Sequence, residues 1–130
     1  MTQDTYKDTT TVIAIVDDDE SVREALEGLL RSSGYQARTY SDALDFLESA
    51  DPNGTHCLIS DIQMPGMSGV ELHERLVESG VLIPTILITA FPEAAQRAGS
   101  ALPGVIACLP KPFPADRLLE CVEDALRRRH

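Results

Sequence analysis

Five short strand-like runs recur along the chain, Val12 to Val16, Tyr35 to Tyr40, His56 to Ser60, Pro84 to Ile88 and Val105 to Leu109, and all but the second are mostly apolar. Runs this short suit strands rather than buried helices. Each is followed by a segment with helical periodicity or helix-capping signals. A strand that must pass through a helix before the next strand pairs with it in parallel, through a crossover. Parallel sheets carry helices on both faces, which explains why the runs other than Tyr35 to Tyr40 lack polar alternation. The pattern therefore predicts an α/β fold, a doubly wound five-stranded parallel sheet with five helices.

The helical segments are uneven in strength. Val22, Ala25, Leu26, Leu29 and Leu30 follow the spacing of an amphipathic helix, and Gly34 stops it. Ser41 is the expected cap of a helix carrying Leu44, Phe46 and Leu47. Pro52, Asn53 and Gly54 mark a turn. Ser68 and Glu71 form a capping box for a helix through Leu72, Leu76 and Val77, ended by Gly80. Pro114 opens a last helix carrying Leu118, Leu119, Val122 and Leu126. The weakest helix is 92–102, whose apolar residues are mostly alanine and which contains Gly99. Residues 1–10 are polar and unpatterned, a loose tail before one domain over 11–129.

Composition excludes several classes. With a formal net charge of -10, the chain lacks the basic surface that direct nucleic-acid binding needs, and it suits metal cations or basic protein patches. No apolar run approaches the roughly 20 residues that span a membrane, and no leader for secretion is visible, so a cytoplasmic protein with no membrane partner is expected. Cys57, Cys108 and Cys121 lack the spacing of a zinc or redox site and read as small reduced hydrophobes.

The chemistry sits at the ends of the strands. Asp17 and Asp18 follow the first, Asp61 the third, Thr89 the fourth and Lys111 the fifth. In such sheets the carboxyl ends of the strands share one edge, where ligands bind. Three crowded carboxylates raise one another's pKa, and a hard cation with oxygen ligands resolves the conflict. Mg2+ suits, because it binds through one or two carboxylates plus phosphate. An ionised Asp also attacks phosphoryl groups as a nucleophile. Asp19 reads instead as a helix cap, His56 and His73 as structural or exposed, and Arg127 to Arg129 as complements of the last helix's dipole.

IVDDDE at 15–20, SDIQMPGMSG at 60–69, ITA at 88–90 and KPF at 111–113, in this order and spacing, resemble the receiver domains of response regulators. DESVREAL and the segment from Ser41 to Leu47 resemble receivers of the nitrogen-fixation regulator type. The resemblance implies a flavodoxin-like fold with strand order 2-1-3-4-5. It implies that Asp61 accepts phosphate from a histidine kinase or phosphotransfer protein. Asp18 would ligate Mg2+ directly, Asp17 largely through water, and Asp61 and the Gln63 backbone carbonyl would complete the protein's ligands. Thr89 and Lys111 would hold the phosphoryl group, and the Lys111–Pro112 peptide bond would be cis. Output would pass through a changed protein-interaction surface, with a phosphorylation-dependent homodimer as one form. The 130 residues leave no room beside the receiver for a DNA-binding domain, so the output is either a protein target or a domain outside this sequence.

Two positions depart from the family, and a third bears on the lifetime of the phosphate. Cys108 stands where receivers carry Tyr or Phe, which puts an aromatic switch in doubt. Pro110 precedes the lysine and offers no N–H. Phe91, two residues after Thr89, is bulky enough to shield the phosphate from water. Two enzyme or cofactor readings fail on single residues. A haloacid-dehalogenase-type phosphatase wants a second Asp where Gln63 stands, and a flavin binder wants a Ser/Thr/Gly-rich loop after the first strand. A phosphorylation-independent binding module remains the alternative to a phosphoryl switch, with the intact Asp17, Asp18, Asp61, Thr89 and Lys111 set favouring the switch.

Overall fold

The computed structural model describes residues 11–49, 51–93 and 102–128. Strands β1 (Val12–Val16), β2 (Gln36–Tyr40), β3 (Cys57–Asp61), β4 (Thr85–Thr89) and β5 (Val105–Pro110) alternate with helices α1 (Glu20–Ser32), α2 (Ala43–Ser49), α3 (Gly69–Glu78) and α4 (Ala115–Arg128). The strands form one parallel sheet in the order β2-β1-β3-β4-β5. The expected five helices are therefore four among the described residues. The missing one, 92–102, falls mostly on residues 94–101, which lie outside them, although Pro92 and Glu93 are helical.

Burial follows from position in the sheet. The inner strands β3 and β4 are buried at every residue. On edge strand β2, Ala37 is buried against α1 while Gln36 and Arg38 are exposed. One face packs Ile13, Ile15, Ile59, Ile86 and Ile88 against Leu26 and Leu30 of α1 and Leu118 and Val122 of α4. The other packs Ala14, Val16 and Leu58 against Phe46 of α2 and Leu72 and Leu76 of α3. Phe46 is fully buried, worth about 2 kcal/mol in transfer alone, and meets Tyr40 edge to face at 5.2 Å.

Local chemistry sets the helix ends. Asp19 caps α1, its carboxylate accepting from the Ser21 and Val22 amides. Ser68 and Glu71 make the reciprocal capping box of α3. Gly34 and Gly80 end their helices at positive φ, where a Cβ is penalised. The cap of α2 is a correction: the Asp42 carboxylate, not Ser41, accepts the Asp45 amide at 2.7 Å, and Asp45 reaches back to the Ser41 N–H. Ala25, Leu44 and Val77, read from spacing as apolar-face residues, are exposed, because the contact stripes of these helices are narrower than the sequence pattern.

His73 proves structural and buried. Its Nε2 donates to the Pro103 carbonyl at 2.6 Å, and its Nδ1 lies 3.1 Å from the Thr85 hydroxyl. One side chain thus ties α3 to the start of β4 and to the turn before β5. The His56 ring accepts the Val12 amide at 3.0 Å, also a structural use.

Candidate functional site

The β1, β3, β4 and β5 ends place Asp17, Asp61, Thr89 and Lys111 at one edge, as their positions in the sequence imply. Asp17 is fully buried. A buried charge is tolerated only when paired and hydrogen-bonded. Its Oδ1 accepts the Asp19 amide at 2.9 Å and its Oδ2 accepts Lys111 Nζ at 3.1 Å, while Arg23 binds its backbone carbonyl at 2.7 Å.

Asp61, also buried, accepts the Gln63 amide at 3.3 Å and Lys111 Nζ at 3.4 Å. Burial, and then the neighbouring Asp17 charge, push its pKa above the usual carboxylate value, with Lys111 offsetting part of the rise. Burial pulls the Lys111 ammonium down, but its hydrogen bond to Asp17 and the charges of Asp17 and Asp61 outweigh this and leave it raised. The Lys111 backbone N–H donates to the Thr89 carbonyl at 2.6 Å, and the Lys111–Pro112 bond is cis. The ladder thus passes Pro110, which has no N–H to give.

Two buried carboxylates facing one ammonium leave one negative charge over. Asp18, exposed at the rim, adds a third carboxylate, and one oxygen from each of Asp17, Asp18 and Asp61 falls within 4.8 Å of the others. All three donors are hard oxygens, the set that fits a hard divalent cation.

Thr89 is fully buried at the end of β4. Its hydroxyl donates to Gln63 Oε1 at 2.6 Å and accepts the Phe91 amide at 3.0 Å. The Phe91 side chain is about half exposed, at 53%. Cys108 is half-buried on β5 beside Leu87 and Ile62, and burial pushes its thiol pKa up.

Gly69 is the site residue that sequence reading missed. A Cβ there would collide with the Asp61 carbonyl oxygen and lie 2.9 Å from Ser60 Oγ. Its amide binds the Ile62 carbonyl at 3.0 Å, so α3 begins directly behind β3 and Asp61. A glycine one residue after a capping Ser was the available signal, and it was read only as part of a motif.

Residues 13–123 match the family described as the response regulator receiver domain. The response regulator protein TmoT of Ectopseudomonas mendocina is 38% identical over 120 residues, covering 92% of this chain and 54% of that protein. The transcriptional regulatory protein FixJ of Bradyrhizobium diazoefficiens is 32% identical over 116 residues, covering 89% of this chain and 57% of that protein. Among solved structures, the response regulator TrrA from Thermotoga maritima in complex with Mg(2+)-BeF is 28% identical, with a TM-score of 0.76 over 89% of this chain and 99% of that one. The chain spans about half the length of the curated relatives TmoT and FixJ. Sheet order, strand-end residues and family match agree, and the chain belongs to the receiver domains of two-component response regulators.

Proposed function

We propose that this receiver is a phosphorylation switch whose acceptor is Asp61 and whose cofactor is Mg2+. The observation that carries it is the pair of buried carboxylates, Asp17 and Asp61, held on one Lys111 ammonium at the carboxyl edge of the sheet. A fold that served only for binding has no reason to bury that uncompensated charge. An Asp61 oxygen attacks the phosphorus of a phosphohistidine, an O–P bond forms, the N–P bond breaks, and the imidazole leaves with the electron pair. Lys111 neutralises charge on the transferring oxygens, and the Thr89 hydroxyl donates to the phosphoryl group once it is seated. Asp17, Asp18, Asp61 and the Gln63 carbonyl would hold Mg2+, which supplies further neutralisation of phosphoryl charge.

The complex of TrrA with Mg(2+)-BeF, a relative of this fold, supports that pairing of metal and phosphoryl site. The donor is a histidine kinase or phosphotransfer protein in the cytoplasm. The output is a protein target, a phosphorylation-dependent homodimer or a further domain. The name of FixJ as a transcriptional regulator makes a DNA-binding output domain a fitting one. The expectation of no nucleic-acid partner is therefore confined to this acidic domain itself.

Incubation with acetyl phosphate in Mg2+ and in chelator is the test. The proposal predicts labelling in Mg2+ and none in chelator. Equal labelling in both would remove the metal from the reaction.

A further inference from the structure

The Thr89 hydroxyl has one proton, and a hydroxyl has no second to give. Here that proton is donated to Gln63 Oε1, at a distance that is short even for an O–H···O bond. The hydroxyl also accepts the Phe91 amide. Thr89 is fully buried, whereas Gln63 is exposed at the mouth of the site. A phosphoryl oxygen on Asp61 would need the same proton. We infer that Gln63 is a latch: its side chain and the phosphoryl group compete for the Thr89 hydroxyl, and the Gln63–Thr89 bond sets how readily the site accepts phosphate. The inference rests on the reading of Asp61 as a phosphoryl acceptor.

The arrangement suits a reversible device. On release, the Gln63 amide turns to water and loses little, because it is already exposed. Thr89 stays buried and must find a new acceptor, which the phosphoryl oxygen provides. The Thr89 oxygen also accepts the Phe91 amide, just before Pro92, so a rotation of Thr89 toward a phosphoryl oxygen would be felt at that bond. The latch therefore couples occupancy of the site to the chain that follows β4. Gln63 is a positioning residue here, acting on phosphate through Thr89.

The test is a double-mutant cycle between Gln63→Met, which keeps the length and loses the acceptor oxygen, and Thr89→Val, which keeps the shape and loses the proton. The probe is beryllofluoride with Mg2+, titrated by calorimetry, with melting curves to establish folding. Gln63→Met is expected to tighten beryllofluoride binding by about two- to tenfold, the size of one net hydrogen bond. That gain is expected to vanish in the Thr89→Val background. Without beryllofluoride, Gln63→Met is expected to increase rotamer averaging of the Thr89 methyl group in NMR couplings. Unchanged or weaker binding in Gln63→Met overturns the latch, and so does an equal gain in the Thr89→Val background. A parent protein that binds no beryllofluoride overturns the phosphoryl reading itself, which separates the two failures.

Discussion

At the scale of single residues, the site is a problem of charge without enough counter-charge. Asp61 has a raised pKa, from burial first and Asp17 second. The folded state therefore holds its proton to a higher pH than the unfolded chain, and stability falls as pH rises from the unfolded value through the folded one. At neutral pH the ionised Asp61 costs stability. Asp61→Asn is expected to raise the melting temperature in chelator by about 4 °C, for roughly 1 kcal/mol. Added Mg2+ is expected to narrow the gap by stabilising the parent more. Thermal melts at pH 7 check this, and a variant melting at or below the parent contradicts it. Gly69→Ala places a Cβ against the Asp61 carbonyl. It is expected to destabilise by about 2 kcal/mol and to slow phosphorylation, since the backbone that gives way carries Asp61, the proposed acceptor. Phe91→Ala is expected to speed loss of the phosphate, measured by decay of label, if the half-exposed ring shields it from water. The places of Asp61, the acidic pair, Thr89 and Lys111 at the carboxyl edge were legible, because each follows within two residues of a strand-like run. Gln63's side-chain bond and the need for Gly69 were not, because both depend on distances between α3's entry loop and the sheet that no spacing along the chain encodes.

At the scale of elements, β3 and β4 were read within a residue of their bounds, since strands buried on both faces leave an unbroken apolar run. The ends of α1 and α3 were equally legible in Asp19, Ser68, Glu71, Gly34 and Gly80. The cap of α2 was misassigned to Ser41 because Ser41 and Asp42 are both good caps, and only the entry angle of the chain selects Asp42. His73 shows a further limit. A histidine at an apolar helical spacing does not reveal that it joins α3 to Thr85 and Pro103. His73→Leu leaves the Pro103 carbonyl and the Thr85 hydroxyl without this partner, and is expected to destabilise by about 2 kcal/mol in urea unfolding. An unchanged midpoint would mean that the tie carries no energy. The 92–104 stretch begins beside the Thr89 hydroxyl and ends at that tie. If it reorders on phosphorylation, its hydrogen exchange will change when beryllofluoride and Mg2+ are added. Identical protection in both conditions counts against such a response.

At the scale of the molecule, the two helical layers are fixed by topology. Helices α1 and α4 cover one face of the sheet, α2 and α3 the other, and the strand ends are left open at one edge. That edge collects residues from positions 17 to 111 of the sequence, which is why the site is visible only once the runs are read as parallel strands. The acidic net charge of -10 suits a domain that draws in cations and basic partner surfaces. The central claim is that this whole arrangement exists to place a phosphoryl group on one carboxylate. Its most direct test is labelling of the parent and of Asp61→Asn with acetyl phosphate in Mg2+. An acid-stable, alkali-labile label is expected in the parent and none in the folded variant. Equal labelling of Asp61→Asn, or no labelling of a folded parent, would contradict it.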